Sequence, residues 1–71
     1  MSRFYGKAYK YKDKVIGVCN TIGDGFMIGH VKPSGSLRRM KILPLFDSVE
    51  EGQKALDEFA AARGLLEVQD D

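Results

Sequence analysis

The feature that most constrains this chain is one amphipathic helix with a defined start and a defined end. Ser48 and Glu51 form a capping box, in which the serine hydroxyl accepts from the Glu51 amide and the glutamate reaches back to the Ser48 amide. Gly64 stands where a left-handed residue commonly ends a helix. The sequence therefore predicts a helix over residues 48–63, followed by a tail over 64–71.

One side of this predicted helix is apolar. Val49, Leu56, Phe59 and Ala60 recur at helical spacing, so they should face a core. Gly52 lies on the same side, where the lack of a side chain would allow the helix to approach a sheet closely. The helix thus predicts a partner layer, and the preceding residues must supply it.

The segments before the helix are short, rich in β-branched and aromatic residues, and separated by turn residues such as Gly23 to Gly25 and Pro33. This pattern is typical of antiparallel strands, which we predict at about 3–11, 14–21, 26–32 and 37–43. The predicted fold class is α+β: an antiparallel meander of three to four strands, followed by one C-terminal helix packed on one face.

Two points at the end of the chain complete the prediction. Leu65, Leu66 and Val68 can form a further short strand, a question that the sequence leaves open. The acidic end over 69–71 is expected to fray.

The length of the chain limits its core. A chain of 71 residues is expected to form a single domain, 1–71, that buries only about 60% of the surface exposed by its unfolded form. Cys19 is the only cysteine, so there is no intrachain disulfide, and no Cys and His cluster predicts a zinc site. The chain has no apolar run of the roughly 20 residues that a membrane span needs, and no secretory leader. We therefore expect a soluble, cytoplasmic protein without membrane association.

The charge is divided between the two halves of the chain. Residues 1–42 carry nine basic and two acidic side chains, a net charge of +7, whereas residues 43–71 carry two basic and eight acidic ones, a net charge of −6. Such segregation concerns association and steering rather than fold.

The alternation within the strands suggests where a partner could bind. In the fourth predicted strand Met40 and Ile42 point to one face, and Arg39 and Lys41 to the other. The two middle strands carry apolar residues at both odd and even positions, so they are apolar on both faces of the sheet. One helix covers only one face of a small sheet. A homodimer or a protein partner can cover the other face. Alternatively, strand twist, tyrosines and lysine stems shield it within the monomer.

Catalytic chemistry has little support in the sequence. His30 is the only histidine, and no motif marks a nucleophile beside it. Cys19 lies in an apolar strand, where a thiol packs as a small hydrophobe. We therefore predict no enzyme, no catalytic residues, no metal site, no cofactor and no small-molecule ligand.

A basic and aromatic surface is the stronger candidate. Alternate positions of the first predicted strand, whose side chains point to the same face, are occupied by Tyr5, Lys7, Tyr9 and Tyr11. If they share the face of the basic residues of the fourth strand, cations that contact phosphates would alternate with rings that stack on bases. The candidate nucleic-acid-binding residues are Lys7, Tyr9, Tyr11, Arg38, Arg39 and Lys41.

A structural explanation of this pattern competes with the functional one. Edge strands carry lysine to discourage edge pairing, and Tyr5 and Tyr9 can belong to the core while Phe4 and Ala8 face outward.

Residues 35–55 resemble part of a known family. The run from Gly35 to Lys41, followed by Phe46, the capped helix start at Ser48 and Ala55, resembles the AP2-like amino-terminal DNA-binding domains of phage-type integrases. The resemblance implies a sheet of about three strands that reads DNA and a helix that braces it. Under it, the residues assigned to DNA contact are Arg38, Arg39 and Lys41. The chain departs from that pattern in having no tryptophan in the central strand and in its predicted extra strand.

Two hypotheses therefore stay open. In the first, the chain is a small non-enzymatic binding module whose basic aromatic sheet face contacts nucleic acid. In the second, it is a protein-interaction or homodimeric accessory protein, for example a phage-type inhibitor or regulator, that uses its apolar sheet surface or its acidic helix.

Overall fold

A computed structural model describes residues 4–21 and 23–68, which form an α+β fold with one antiparallel sheet and one helix. The elements in chain order are β1 (Ala8–Tyr11), β2 (Lys14–Asn20), β3 (Phe26–Val31), β4 (Leu37–Arg39), α1 (Val49–Arg63) and β5 (Leu66–Val68). The strands lie in the order β4-β3-β2-β1-β5, and every neighbouring pair is antiparallel. The predicted fold class is confirmed, but the sheet has five strands rather than three to four.

The fifth strand answers the question that the sequence left open. Leu66–Val68 returns to the sheet and pairs with β1, with Ala8 opposite Val68 and Lys10 opposite Leu66. The predicted fraying of 69–71 lies outside the described residues.

The start and the end of the helix were predicted correctly. Ser48 is the N-cap, and its hydroxyl oxygen accepts from the Glu51 amide at 3.1 Å. Gly64 adopts φ 67°, and its amide donates to Ala61 while the amide of Leu65 donates to Ala60 at 2.9 Å. These two bonds form a Schellman ending, which turns the chain back toward β5.

The fourth strand is shorter than predicted. It ends at Arg39 rather than at residue 43, because the Leu43 amide donates to the Met40 carbonyl and closes a turn. Met40 is buried in the core on the helix side. The predicted alternation that put Arg39 and Lys41 on one face of a strand was therefore wrong beyond Arg39. The first strand is also shorter and begins at Ala8, after bends at residues 4–6.

The main core lies between α1 and one face of the sheet. Its fully or nearly fully buried residues are Ile16, Val18, Ile28, Met40 and Leu56. Gly52 allows the close approach that the sequence predicted, since a Cβ built on it would lie 3.3 Å from Val18 Cγ1. We call this side of the sheet the helix face and the opposite side the open face.

The open face carries a second, smaller cluster. Phe4, Ala8 and Cys19 are buried there, with Met27 and Val68 packed against them. The ring of Phe4 lies over Gly17, where a Cβ would come within 2.5 Å of the ring. An aromatic ring from the segment before β1 therefore fills the space above a strand glycine, a recognised way of protecting such a glycine. This ring shields part of the open face within the monomer, but not all of it.

Candidate functional site

The register of the sheet decides which predicted site residues can act together. One row of paired residues on the helix face runs across four strands: Tyr9, Ile16, His30 and Arg38. Arg39 pairs with Gly29, which pairs with Gly17, so the Arg39 side chain starts on the open face. Tyr9 and Arg39 therefore lie on opposite faces, and Tyr9 shares its face with Arg38.

Tyr9 is held by the helix. Its hydroxyl donates to Asp57 Oδ1 at 2.7 Å, and Gln53 Nε2 donates to the same oxygen at 2.9 Å. The hydrogen bond to Asp57, with smaller contributions from burial and nearby negative charge, raises the pKa of Tyr9 to about 12. This tyrosine therefore joins β1 to α1. The structural explanation of the pattern is right for Tyr9, but it is wrong for its other residues, because Tyr5 is exposed whereas Phe4 and Ala8 are buried.

Tyr11 is also braced by the helix, but it keeps access to a pocket. Its ring meets Phe59 edge-on, with the centroids 5.5 Å apart, and Lys12 Nζ lies 5.4 Å from the centroid of the Tyr11 ring. Arg63 in turn stacks on Phe59, with 4.5 Å between the guanidinium carbon and the ring centroid. The orientation of Tyr11 is thus fixed by contacts from the last turns of α1.

An open pocket of about 220 Å³ lies beside Tyr11. We call it the cationic pocket, and its lining residues are Tyr11, Lys14, His30, Arg38, Arg39, Met40, Lys41 and Ile42. Four of the eight are lysine or arginine, and none carries a carboxylate. A concave surface with cations of one sign concentrates anions, so this is the described site best suited to a negatively charged ligand.

Three local structures bring the pocket residues together. The β1–β2 hairpin sets Tyr11 directly opposite Lys14, and Lys12 between them adopts φ 58°, the positive φ that tight hairpin turns require at this position. The β3–β4 pairing sets His30 opposite Arg38. The turn after β4 then brings Lys41 to the same pocket.

Two hydrogen-bonding details belong to the lining of the pocket. Nδ1 of His30 is buried and has no hydrogen-bond partner among the described residues. The Arg39 guanidinium donates to the Leu43 carbonyl at 3.1 Å, which ties the turn after β4 to the strand.

The pocket contains part of the predicted set. Tyr11, Arg38, Arg39 and Lys41 line it, whereas Lys7 and Tyr9 do not. The sequence reasoning missed Lys14 and His30. The two-residue turn between Tyr11 and Lys14 could have identified Lys14, because such a turn places the residues on either side of it opposite each other. No sequence motif or residue spacing marked His30 as a site residue.

The open face has a different character. Four large apolar side chains remain exposed there: Val15 at 37%, Val31 at 38%, Leu37 at 37% and Leu66 at 74%. A groove of about 490 Å³ on this side is lined by Asn20, Thr21, Asp24, Met27, Leu37, Arg39 and Leu45. This lining combines apolar side chains with one cation and one carboxylate, unlike that of the cationic pocket.

Other kinds of site have little support among the described residues. No group of three or more His, Cys, Asp and Glu side chains there could hold a metal ion. Burial raises the pKa of the Cys19 thiol, which disfavours the reactive thiolate. No helix in the described ranges combines the length and hydropathy needed to cross a membrane.

Comparisons with protein-family models, curated proteins and solved structures found no match for this chain.

Proposed function

We propose that this chain is a non-enzymatic binding module that engages nucleic acid through the cationic pocket. The observation that carries the proposal is the convergence of Lys14, Arg38, Arg39 and Lys41 around one concavity that is lined by no carboxylate. Phosphate groups are the anionic feature that nucleic acids always present, and lysine and arginine are their usual partners.

The lining residues would make different contacts with a bound nucleic acid. The arginine guanidinium offers a planar fork that suits two phosphate oxygens, whereas lysine supplies a mobile point charge. Tyr11 contributes a ring at the margin of the pocket, and a ring of this kind can stack on an unpaired base. Single-stranded nucleic acid is therefore the preferred form, because its bases are free to stack.

The resemblance to integrase DNA-binding domains agrees in part with this proposal. The residues that it assigns to DNA contact, Arg38, Arg39 and Lys41, all line the cationic pocket. Lys14 and Tyr11 extend the proposed site beyond the resembling segment.

The test is a titration of labelled single-stranded DNA and RNA at several salt concentrations. If the pocket neutralises one or two phosphates, log Kd should rise with log salt with a slope of about 0.7 to 1.4, because a single strand contributes about 0.7 for each phosphate neutralised. The absence of binding at low salt would contradict the proposal, as would an affinity that does not change with salt.

Matched variants tie the binding to the pocket. Arg38→Gln and Lys14→Gln should each weaken binding and reduce the salt slope. Lys7→Gln and Lys54→Gln remove exposed lysines that do not line the pocket, and they should change little. Equal losses in all four variants would mean that general charge, rather than this pocket, drives binding.

The open face favours a second candidate function, the binding of a protein with an acidic rim around an apolar centre. The charged strand residues of this face are Lys10 and Arg39, both cationic, beside exposed side chains such as Leu37 and Leu66, and one carboxylate, Asp24, lines its groove. Two copies of the chain meeting on this face would bring like charges together, so a different, acidic partner fits better.

A pair of synthetic helical peptides tests this candidate. Both carry the same leucine stripe, flanked by glutamate in one and by lysine in the other. The acidic peptide should bind and the basic one should not, and Leu66→Ser should weaken the binding. A stable dimer of the chain alone, abolished by Leu66→Ser, would instead identify a second copy as the occupant.

A further inference from the structure

The cationic pocket is compact rather than extended. Its volume of about 220 Å³ corresponds to about seven water molecules at roughly 30 Å³ each. Small-molecule sites generally range from about 300 to 1,000 Å³, so this one suits a single phosphate with part of its sugar rather than several nucleotides.

The charge of the pocket exceeds what one internal phosphate needs. An internal phosphodiester carries one negative charge and has two free oxygens. A terminal phosphomonoester carries a charge of about −1.5 to −2 near neutral pH and has three strong acceptor oxygens. Four cationic side chains without a lining carboxylate match the terminal group better.

Access and hydrogen bonding favour the same group. A terminal phosphate is linked to a sugar on one side only, so it can enter a concave site end-on, whereas an internal phosphate must bring both flanking sugars with it. A terminal phosphate also offers three acceptor oxygens, one more than an internal phosphate, to the lysine and arginine donors that line the pocket.

We infer that the cationic pocket recognises a terminal phosphomonoester of a single-stranded nucleic acid, with the adjoining base against Tyr11. Arg38 and Lys14 bind the phosphate oxygens from strands β4 and β2, and Lys41 approaches from the turn after β4. This inference deepens the proposed function and rests on it, because it specifies which phosphate of the strand the pocket takes.

The test compares two strands of about eight nucleotides with one sequence and a 3′ label, a length within the range of small single-strand binding sites. One strand has a 5′-phosphate and the other a 5′-hydroxyl. The phosphorylated strand should bind at least tenfold more tightly. A 5′-hydroxyl strand lengthened by two nucleotides adds the same charge as internal diesters, and it should not reproduce the gain.

The outcomes separate the inference from the function on which it rests. Equal affinity for the phosphorylated and the lengthened strand overturns the inference and leaves nucleic-acid binding intact. The absence of binding by every strand at low salt overturns both. Equally tight binding of a phosphoserine peptide would overturn the assignment to nucleic acid while retaining a phosphomonoester site.

Variants and a direct probe locate the contact. Arg38→Gln should remove most of the preference for the phosphorylated strand, Arg38→Lys should restore part of it, and Lys7→Gln should leave it unchanged. In phosphorus NMR, the terminal phosphate signal should shift on addition of the wild-type chain but not of Arg38→Gln. A shift that is the same with both proteins would place the phosphate elsewhere.

Discussion

The hydroxyl of Tyr9 donates a 2.7 Å hydrogen bond to Asp57, joining strand β1 to helix α1. This contact makes Tyr9 part of the structural support of the sheet. It also leaves the neighbouring Tyr11 as the tyrosine that lines the cationic pocket.

Tyr9→Phe should lower the free energy of unfolding by about 1 kcal/mol, a typical value for one hydrogen bond. The ring remains, so its packing is kept while the bond to Asp57 is lost. Urea denaturation followed by circular dichroism measures the change. The double variant with Asp57→Ala should cost less than the sum of the two single changes, and strict additivity would contradict a direct bond.

The stability of the fold should fall at high pH in a way that depends on Tyr9. Its pKa is raised from 10.0 to about 12, so the folded state favours the protonated phenol. That contribution is complete below about pH 10 and is lost as the pH rises toward about 12. The tyrosine absorbance titration of the wild type, minus that of Tyr9→Phe, should show one group with a midpoint near 12. A difference curve with its midpoint at 10 would contradict this prediction.

Gly17→Ala should destabilise the fold because its Cβ would lie 2.5 Å from the Phe4 ring. Overpacking of this kind generally costs about 1 to 3 kcal/mol. The same change made in a Phe4→Ala background should cost less, since the clashing ring is gone. Thermal unfolding of the four proteins in this cycle measures the coupling, and an equal cost in both backgrounds would mean that the ring is not the obstacle.

Inorganic phosphate should stabilise the folded chain by binding the cationic pocket. At a phosphate concentration of about ten times its Kd, the expected gain is about 1.4 kcal/mol, seen as a higher Tm. Sodium chloride at equal ionic strength serves as the control for general salt effects. Arg38→Gln should lose the gain that is specific to phosphate, whereas Lys54→Gln should keep it.

The helix was predictable from the sequence because its signals are local. The cap at Ser48, the apolar stripe and the glycine at position 64 act within a few residues of one another, and each has the predicted role. The ending at Gly64 also redirects the chain toward the sheet. Whether the next residues pair with β1 depends on a distant strand, so the fifth strand could not be fixed from local pattern.

The site was less predictable because it depends on register. The predicted surface required Arg39 to share the face of the tyrosines, a condition that the sequence left open, but the sheet puts Arg38 in the row of Tyr9. A difference of one residue moves a side chain to the other face of a sheet. His30 lies beside the pocket because it pairs with Arg38, and no local sequence pattern predicts this pairing.

The position of β5 has a consequence for how the sheet forms. Ala8 pairs with Val68, so these partners are 60 positions apart along the chain (68 minus 8), whereas the β1–β2 and β2–β3 pairings are hairpins of nearby residues. Closing the longer loop costs more entropy, and the hairpins should therefore assemble first. Until Leu66–Val68 docks, the outer edge of β1 has unpaired backbone groups that can template association with another chain. Docking of this last, three-residue strand would therefore end the exposure of that edge to other chains.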